Sequence, residues 1–310
     1  MMNILVTGAN GQLGQCLRDL AENDNKNTWF WTDVAGIEGR KCDYLDITDA
    51  ESVKKYFVDN AISVCVNCAA YTNVDKAEED QEMAKKLNAD APKILAEACN
   101  IHGTKLIHIS TDYVFNGTAF IPLTEDRLTF PMSVYGKTKL EGEQNIVNSG
   151  CKYLIFRTAW LYSEYGKNFV KTMVELFQHG IKPVVVNDQI GTPTYARNLA
   201  GFIYSLIDWN CLLNEGIYHY TDEGVCSWYD LAYYINDYYE RMIMERTNGV
   251  DPISTKDFYN GNPHAPRPFY SVLSKEKVKK DFKSLCTIDH WMVGVGNCVY
   301  NLIKGKNEEQ

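Results

Sequence analysis

The first half of the chain alternates short apolar, β-branched runs with helical patterns, and that alternation leaves few folds open to it. The runs fall at 3–7, 29–32, 62–67, 105–110 and 153–158, with helical stretches at about 12–22, 50–59, 80–101 and 134–148. A strand that is apolar at nearly every position must be buried on both faces, as happens when helices cover a parallel sheet from each side. Asp49 is placed to cap the second helix, and Gly103 to close the helix before the run at 105. The expected class is α/β, a doubly wound parallel sheet. After about residue 158 the regularity fades, although a helix at 194–208 and a short strand at 217–220 complete the pattern. Residues 1–158 plus 194–221 therefore read as one domain, and 159–193 plus 222–310 as a smaller C-terminal lobe. Residues 304–310 read as a frayed tail.

At roughly 150 residues per domain, 310 residues suit two such units. Lys and Arg total 31 against 40 Asp and Glu, a net charge of −9. That balance excludes non-specific nucleic-acid binding, which needs a basic surface to neutralise phosphates. No run of about 18 apolar residues is present, and Met1-Met2-Asn3-Ile4 lacks the basic start of a secretory signal, so a cytoplasmic chain with no membrane partner is expected. The ten cysteines are too scattered for a disulfide framework. Cys65 and Cys68 have a redox-motif spacing, but within an apolar run they read as buried thiols.

Strand 3–7 runs into Gly8-Ala9-Asn10-Gly11-Gln12-Leu13-Gly14 and then a helix. Gly8, Gly11 and Gly14 permit a tight turn and the approach of backbone N–H groups to a pyrophosphate, which the positive helix end favours. Asp33 closes the second run, where a carboxylate grips the adenosine ribose of a bound dinucleotide. Together these point to a Rossmann-type site. Asp33 favours NAD by repelling a 2′-phosphate, whereas Arg40 and Lys41 nearby can offset that repulsion, so NADH and NADPH both stay open. Residues 42–48 read as the end of a third strand, where Asp46 and Ile47 are placed at the adenine edge, and the small residues leaving the run at 62–67, through Ala70, Tyr71 and Thr72, suit a loop pressed against a cofactor.

Tyr135 and Lys139 lie four apart at the start of a helix and so share one face. An ammonium beside the phenol is expected to lower its pKa from about 10, making it a proton donor for a developing alkoxide. Ser110-Thr111-Asp112-Tyr113 brings hydroxyl groups to the C-terminal end of the preceding strand, where open α/β sheets bind ligands.

These motifs resemble the extended short-chain dehydrogenase/reductase superfamily. Within it, the segments 110–115, 134–139, 156–162 and 187–194, with Arg267-Pro268, are similar to the dTDP-4-dehydrorhamnose reductase family, in matching order from residue 3 to about 300. The resemblance implies reduction of a nucleotide sugar's 4-keto group, dTDP-4-dehydro-L-rhamnose to dTDP-L-rhamnose, with NADPH or NADH. It assigns Tyr135 as proton donor, Lys139 as its tuning partner and ribose ligand, and Thr111 as the group polarising the carbonyl. It places Gly11, Gln12, Leu13, Asp33, Asp46, Ile47, Ala70, Tyr71 and Thr72 on the cofactor, and Thr111, Asp112 and Trp160 on the sugar. For the diphosphate, Lys167, Lys171, Arg197 and above all Arg267, between two prolines, are candidates. The family can bridge subunits through magnesium held by glutamates, but Cys16 stands at one such position, so the homodimer is left open and the metal disfavoured.

Two other functions compete. A regulatory subunit of methionine adenosyltransferase shares this scaffold and binds a partner without turnover, which the full set of Thr111, Tyr135 and Lys139 argues against. A 4,6-dehydratase carries Glu after the Thr-Asp pair, where this chain has Tyr113, and a 4-epimerase would retain its NAD.

Overall fold

The computed structural model describes residues 1–212 and 214–308. Six strands, β1 (Asn3–Thr7), β2 (Thr28–Asp33), β3 (Asp43–Tyr44), β4 (Val64–Asn67), β5 (Lys105–Thr111) and β6 (Lys152–Thr158), join the strand Gly216–His219 in one sheet. Every pairing in it is parallel, and the order is Gly216–His219, β6, β5, β4, β1, β2, β3. The chain winds outward in one direction from β1 and in the other from β4, which opens a crevice at the carboxyl ends of those neighbours.

Alternate residues of each strand serve opposite cores. Ile4, Val6, Val64, Val66, Ile107, Leu154 and Phe156 pack against α1 (Gln12–Ala21) and the helix Ala196–Asp208. Leu5, Cys65, Leu106 and Ile155 face the other way, against α2 (Ala50–Asn60) and other helices. This is the two-sided burial that the apolar runs demand.

The single helix expected over 80–101 is preceded by a short helix, α3 (Val74–Glu79), and is itself broken into α4 (Gln81–Lys85), a π-helical turn (Lys86–Asp90) and α5 (Ala91–His102). Pro92 has no N–H to give the carbonyl of Asn88, so the regular ladder cannot run through this point. The freed carbonyl faces Gly142 of α6 (Val134–Asn148), where a Cβ would lie 2.1 Å from it. The third strand shrinks to two exposed residues. The tail is not frayed as far as Glu308: the helix Trp291–Glu308 continues through it, with Lys304 over the Tyr300 ring, and residues 309–310 lie outside the described residues.

Residues from 162–185 and 226–299 gather around a core of their own, with Val170, Val174, Leu231, Ile235, Val295 and Val299 all buried. Between the sheet and α6, Arg157 and Glu143 form a buried ion pair at 2.7 Å, and Ser110 donates to the same carboxylate. Among the described residues no helix is long and apolar enough to cross a membrane. All ten cysteines, Cys65 and Cys68 included, are free thiols.

The approach of α6 to Asn88 is testable. Gly142→Ala should destabilise the protein by about 1–3 kcal/mol, the usual cost of overpacking, read as a lower urea midpoint at unchanged slope. An unchanged midpoint would show that the two helices can separate freely.

Candidate active site

A cavity of about 720 Å³ opens over the carboxyl ends of β1, β4, β5 and β6. Its floor is the glycine turn. Gly8 has φ of +64°, and a Cβ there would lie 2.6 Å from the backbone nitrogen of Ala69, so only glycine fits. A Cβ on Gly14 would lie 2.6 Å from the carbonyl oxygen of Gly8. Gly14 accordingly packs beneath the turn and does not line the cavity, while Gly8, Gly11, Gln12 and Leu13 do. The amino end of α1 carries no side-chain cap, which leaves its N–H groups and positive dipole end for an anion.

Asp33, Asp46, Ile47, Ala70 and Thr72 line the same cavity. The Asp33 carboxylate accepts the N–H groups of Asn10 at 3.0 Å and Val34 at 2.8 Å, tying the glycine turn to the end of β2. Asp46 accepts the N–H and hydroxyl of Thr48. Tyr71 does not line the cavity: its backbone N–H and carbonyl are both held by the Asn88 side chain, at 2.9 and 3.1 Å, which positions its neighbours instead.

Thr111, Asp112, Tyr135 and Lys139 meet on the opposite wall. β5 delivers Thr111 at its carboxyl end and Asp112 follows in the next turn, while α6 delivers the others from its first turns, started by the Ser133 cap on the N–H of Gly136. The Thr111 hydroxyl donates to Asp112 at 3.0 Å and accepts the N–H of Tyr113. Burial pushes the Asp112 carboxyl up to about 6.

The expected acidification of Tyr135 is not found. Burial pushes its phenol up to about 12, a hydrogen bond with Thr111 lowers it in part, and the Asp112 charge raises it further. Lys139 does not offset this: burial draws the amine down, to about 8, and its Nζ donates to the Ile109 carbonyl at 2.7 Å.

Trp160 closes the far side of the cavity. Its φ of +50° is a left-handed conformation that costs a non-glycine residue about 1–3 kcal/mol. Two contacts hold it there. Its ring stacks on Trp228 with centroids 3.7 Å apart, and it occupies the space a Cβ on Gly191 would fill, 2.7 Å from the ring. Trp228, Phe169 and Asn168 also line the cavity and were not anticipated. Trp228 begins the helix Trp228–Ile243 behind the Ser227–Asp230 capping box, and no local pattern there says what its ring will meet.

Arg267 is not in this cavity. Its guanidinium pairs with Asp75 at 2.6 Å, beside a separate small pocket shared with Tyr113, because Asp75 also takes the N–H of Ala265 and pins this strap to α3. Lys171 donates to the Glu164 carbonyl and Arg197 pairs with Asp19, which leaves Lys167 as the basic candidate that lines the cavity. Cys16 is buried in α1 with its thiol pushed up to about 12, and among the described residues no group of three or more His, Cys, Asp or Glu is gathered for a metal.

Comparison with known proteins fits this arrangement. The family model described as the RmlD substrate binding domain matches residues 2–303. The structure of a dTDP-4-dehydrorhamnose reductase from Clostridium acetobutylicum superposes with a TM-score of 0.85 at 40% identity, covering 97% of this chain and 100% of the other. That of a Bacillus anthracis dTDP-4-dehydrorhamnose reductase in complex with NADP gives 0.83 at 34% identity, with coverages of 97% and 99%. A Streptomyces antibioticus protein named "Probable dTDP-4,6-dihydroxy-2-methyloxan-3-one 4-ketoreductase" is 40% identical over 278 residues, 89% of this chain and 88% of its own. Matched from end to end by these relatives, the chain belongs to the dTDP-4-dehydrorhamnose reductase family.

Proposed function

We propose that this chain reduces the 4-keto group of dTDP-4-dehydro-L-rhamnose to give dTDP-L-rhamnose, using NADH or NADPH. The observation that carries this reading is that Thr111, Tyr135 and Lys139 share one cavity with a glycine cradle that has no room for side chains. The bare amino end of α1 suits the pyrophosphate, Asp33 the adenosine ribose, and Asp46 and Ile47 the adenine. When bound, the reduced nicotinamide supplies a hydride to the sugar C4.

The remaining work falls to the chain's side chains. Tyr135 keeps its proton across the neutral range and gives it to the sugar O4 as that oxygen gains negative charge. Thr111 turns its hydroxyl from Asp112 to the carbonyl oxygen and polarises it. Trp160, fixed on Trp228, holds the sugar in reacting geometry. The lobe at 159–193 and 222–310 recognises the nucleotide, with Lys167 toward the diphosphate. A cytoplasmic location goes with this reading, as does open homodimerisation without a magnesium bridge.

A related substrate is favoured by one observation, the 40% identity to a protein named for another dTDP-linked 4-keto sugar. A panel of dTDP and other nucleotide 4-keto sugars, followed by loss of reduced nicotinamide absorbance near 340 nm, roughly its maximum, decides between them. No loss with any sugar would favour a non-catalytic binding role.

Tyr135→Phe should lower kcat by about 10²–10⁴ with little change in cofactor affinity. Near-normal turnover would remove Tyr135 from the proton-donor role. Asp33→Asn keeps an acceptor for the glycine turn while removing the charge, so the ratio of kcat/KM for NADPH over NADH should rise roughly tenfold. A constant ratio would mean that Asp33 does not face the ribose.

A further inference from the structure

The amino end of α1 has no side-chain cap of its own, yet the side chain of its first residue is tied to the far side of the cavity. Gln12 Oε1 accepts the Asn168 amide N–H at 3.0 Å and the Ser163 hydroxyl at 3.1 Å. Asn168 caps the helix Phe169–Gln178, whose Val170, Met173, Val174 and Phe177 belong to the second core. The join therefore runs from the glycine turn to the part of the chain built around that core.

The orientation of both amides is fixed. As a cap, Asn168 Oδ1 accepts the backbone N–H of Lys171 at 3.1 Å, and a backbone N–H can only donate. Nδ2 then faces the other way, where it meets the carbonyls of Ser163 at 2.7 Å and Tyr165 at 3.3 Å together with the Gln12 side chain. Gln12 has to present its oxygen to that donor. Residues 163–168 are folded around the contact: a Cβ on Gly166, where φ is +62°, would lie 3.2 Å from Gln12 Cγ. A second tether leaves α1 seven residues later, on the same face of the helix. Asp19 accepts the Tyr165 hydroxyl at 2.6 Å and pairs with Arg40 at 3.1 Å, and the Arg40 guanidinium lies over the Tyr165 ring. Gly166 and Lys167, next to these tethers, are exposed, lie in bends outside any helix or strand, and line the cavity. Side chains of the glycine turn and α1 thus set where Lys167 stands.

We propose that Gln12 and Asn168 are positioning residues that couple the two ends of the cavity, so that a dinucleotide on the glycine turn and a nucleoside diphosphate beside Lys167 bind cooperatively. A ligand shifts a loop only if it binds one of the loop's arrangements better. With residues 163–168 docked, the first turn of α1 is fastened and its N–H groups are held ready for an anion; undocked, that uncapped turn frays. The first anion therefore favours docking, docking places Lys167, and by linkage each ligand strengthens the other by the same factor. Direct repulsion between two diphosphates opposes this, so positive coupling has to pass through the chain. The inference rests on the proposed function only for the identity of the second ligand.

ADP-ribose and dTDP test it, because ADP-ribose carries the pyrophosphate but no nicotinamide ring to reach the second ligand. Calorimetric titration of the full chain should show ADP-ribose raising the affinity for dTDP by about fivefold or more, and dTDP raising the affinity for ADP-ribose by the same factor. Asn168→Asp keeps the cap oxygen and turns the donor into an acceptor, while Gln12→Met keeps the length and removes the acceptor; each should bring the factor to about one or below. No coupling in the wild type, or coupling that survives in either folded variant, overturns the inference. Hydrogen–deuterium exchange read by mass spectrometry gives a measure that needs no dTDP. ADP-ribose should slow exchange at residues 164–167 in the wild type and not in Asn168→Asp. No slowing in the wild type, or equal slowing in both, overturns the inference, the second because it marks direct contact. If dTDP does not bind at all while exchange behaves as stated, the reading of the second ligand fails and the coupling through Gln12 and Asn168 stands.

Discussion

Everything in the molecule follows from one constraint, that seven parallel strands all end at the same edge. Parallel pairing forces each connection back across a face, so every turn that leaves a strand is delivered to one rim. Where the winding reverses between β1 and β4, no connection covers that rim. The glycine turn, the Asp33 carboxylate, the Thr111 hydroxyl and the first turns of α6 are therefore neighbours although they are far apart in sequence. The apolar alternation along the strands sustains this, since each strand supplies two cores at once and cannot slip by one residue without exposing both sets.

Much of this was legible in the sequence because it depends on short-range rules. Continuous apolar runs revealed strands, caps located helices, and spacing put Tyr135 and Lys139 on one face. What failed depended on partners distant in the chain. The broken helix around Lys86–Asp90 needed knowledge that α6 would approach the Asn88 carbonyl, and the pairing of Arg267 with Asp75 needed the path of the strap at 262–269. The Trp160 and Trp228 stack joins two segments of the less regular lobe, where no periodicity predicts contact.

The correction at Tyr135 concerns energy, not position. An i, i+4 spacing brings side chains to one face but says nothing about solvent, and here removal from water outweighs the neighbour. Burial raises the phenol and lowers the amine, so the phenol keeps its proton across the neutral range while the amine loses its own only above it.

The left-handed backbone at Trp160 has an implication for how such a pocket can diverge. A wall residue locked by rare torsion angles, a ring partner and a missing side chain at Gly191 has little freedom to drift. New sugar shapes would be admitted by altering its supports, through exchange of Trp228 or Phe169, while the indole itself stays fixed as the reference against which each variant pocket is measured.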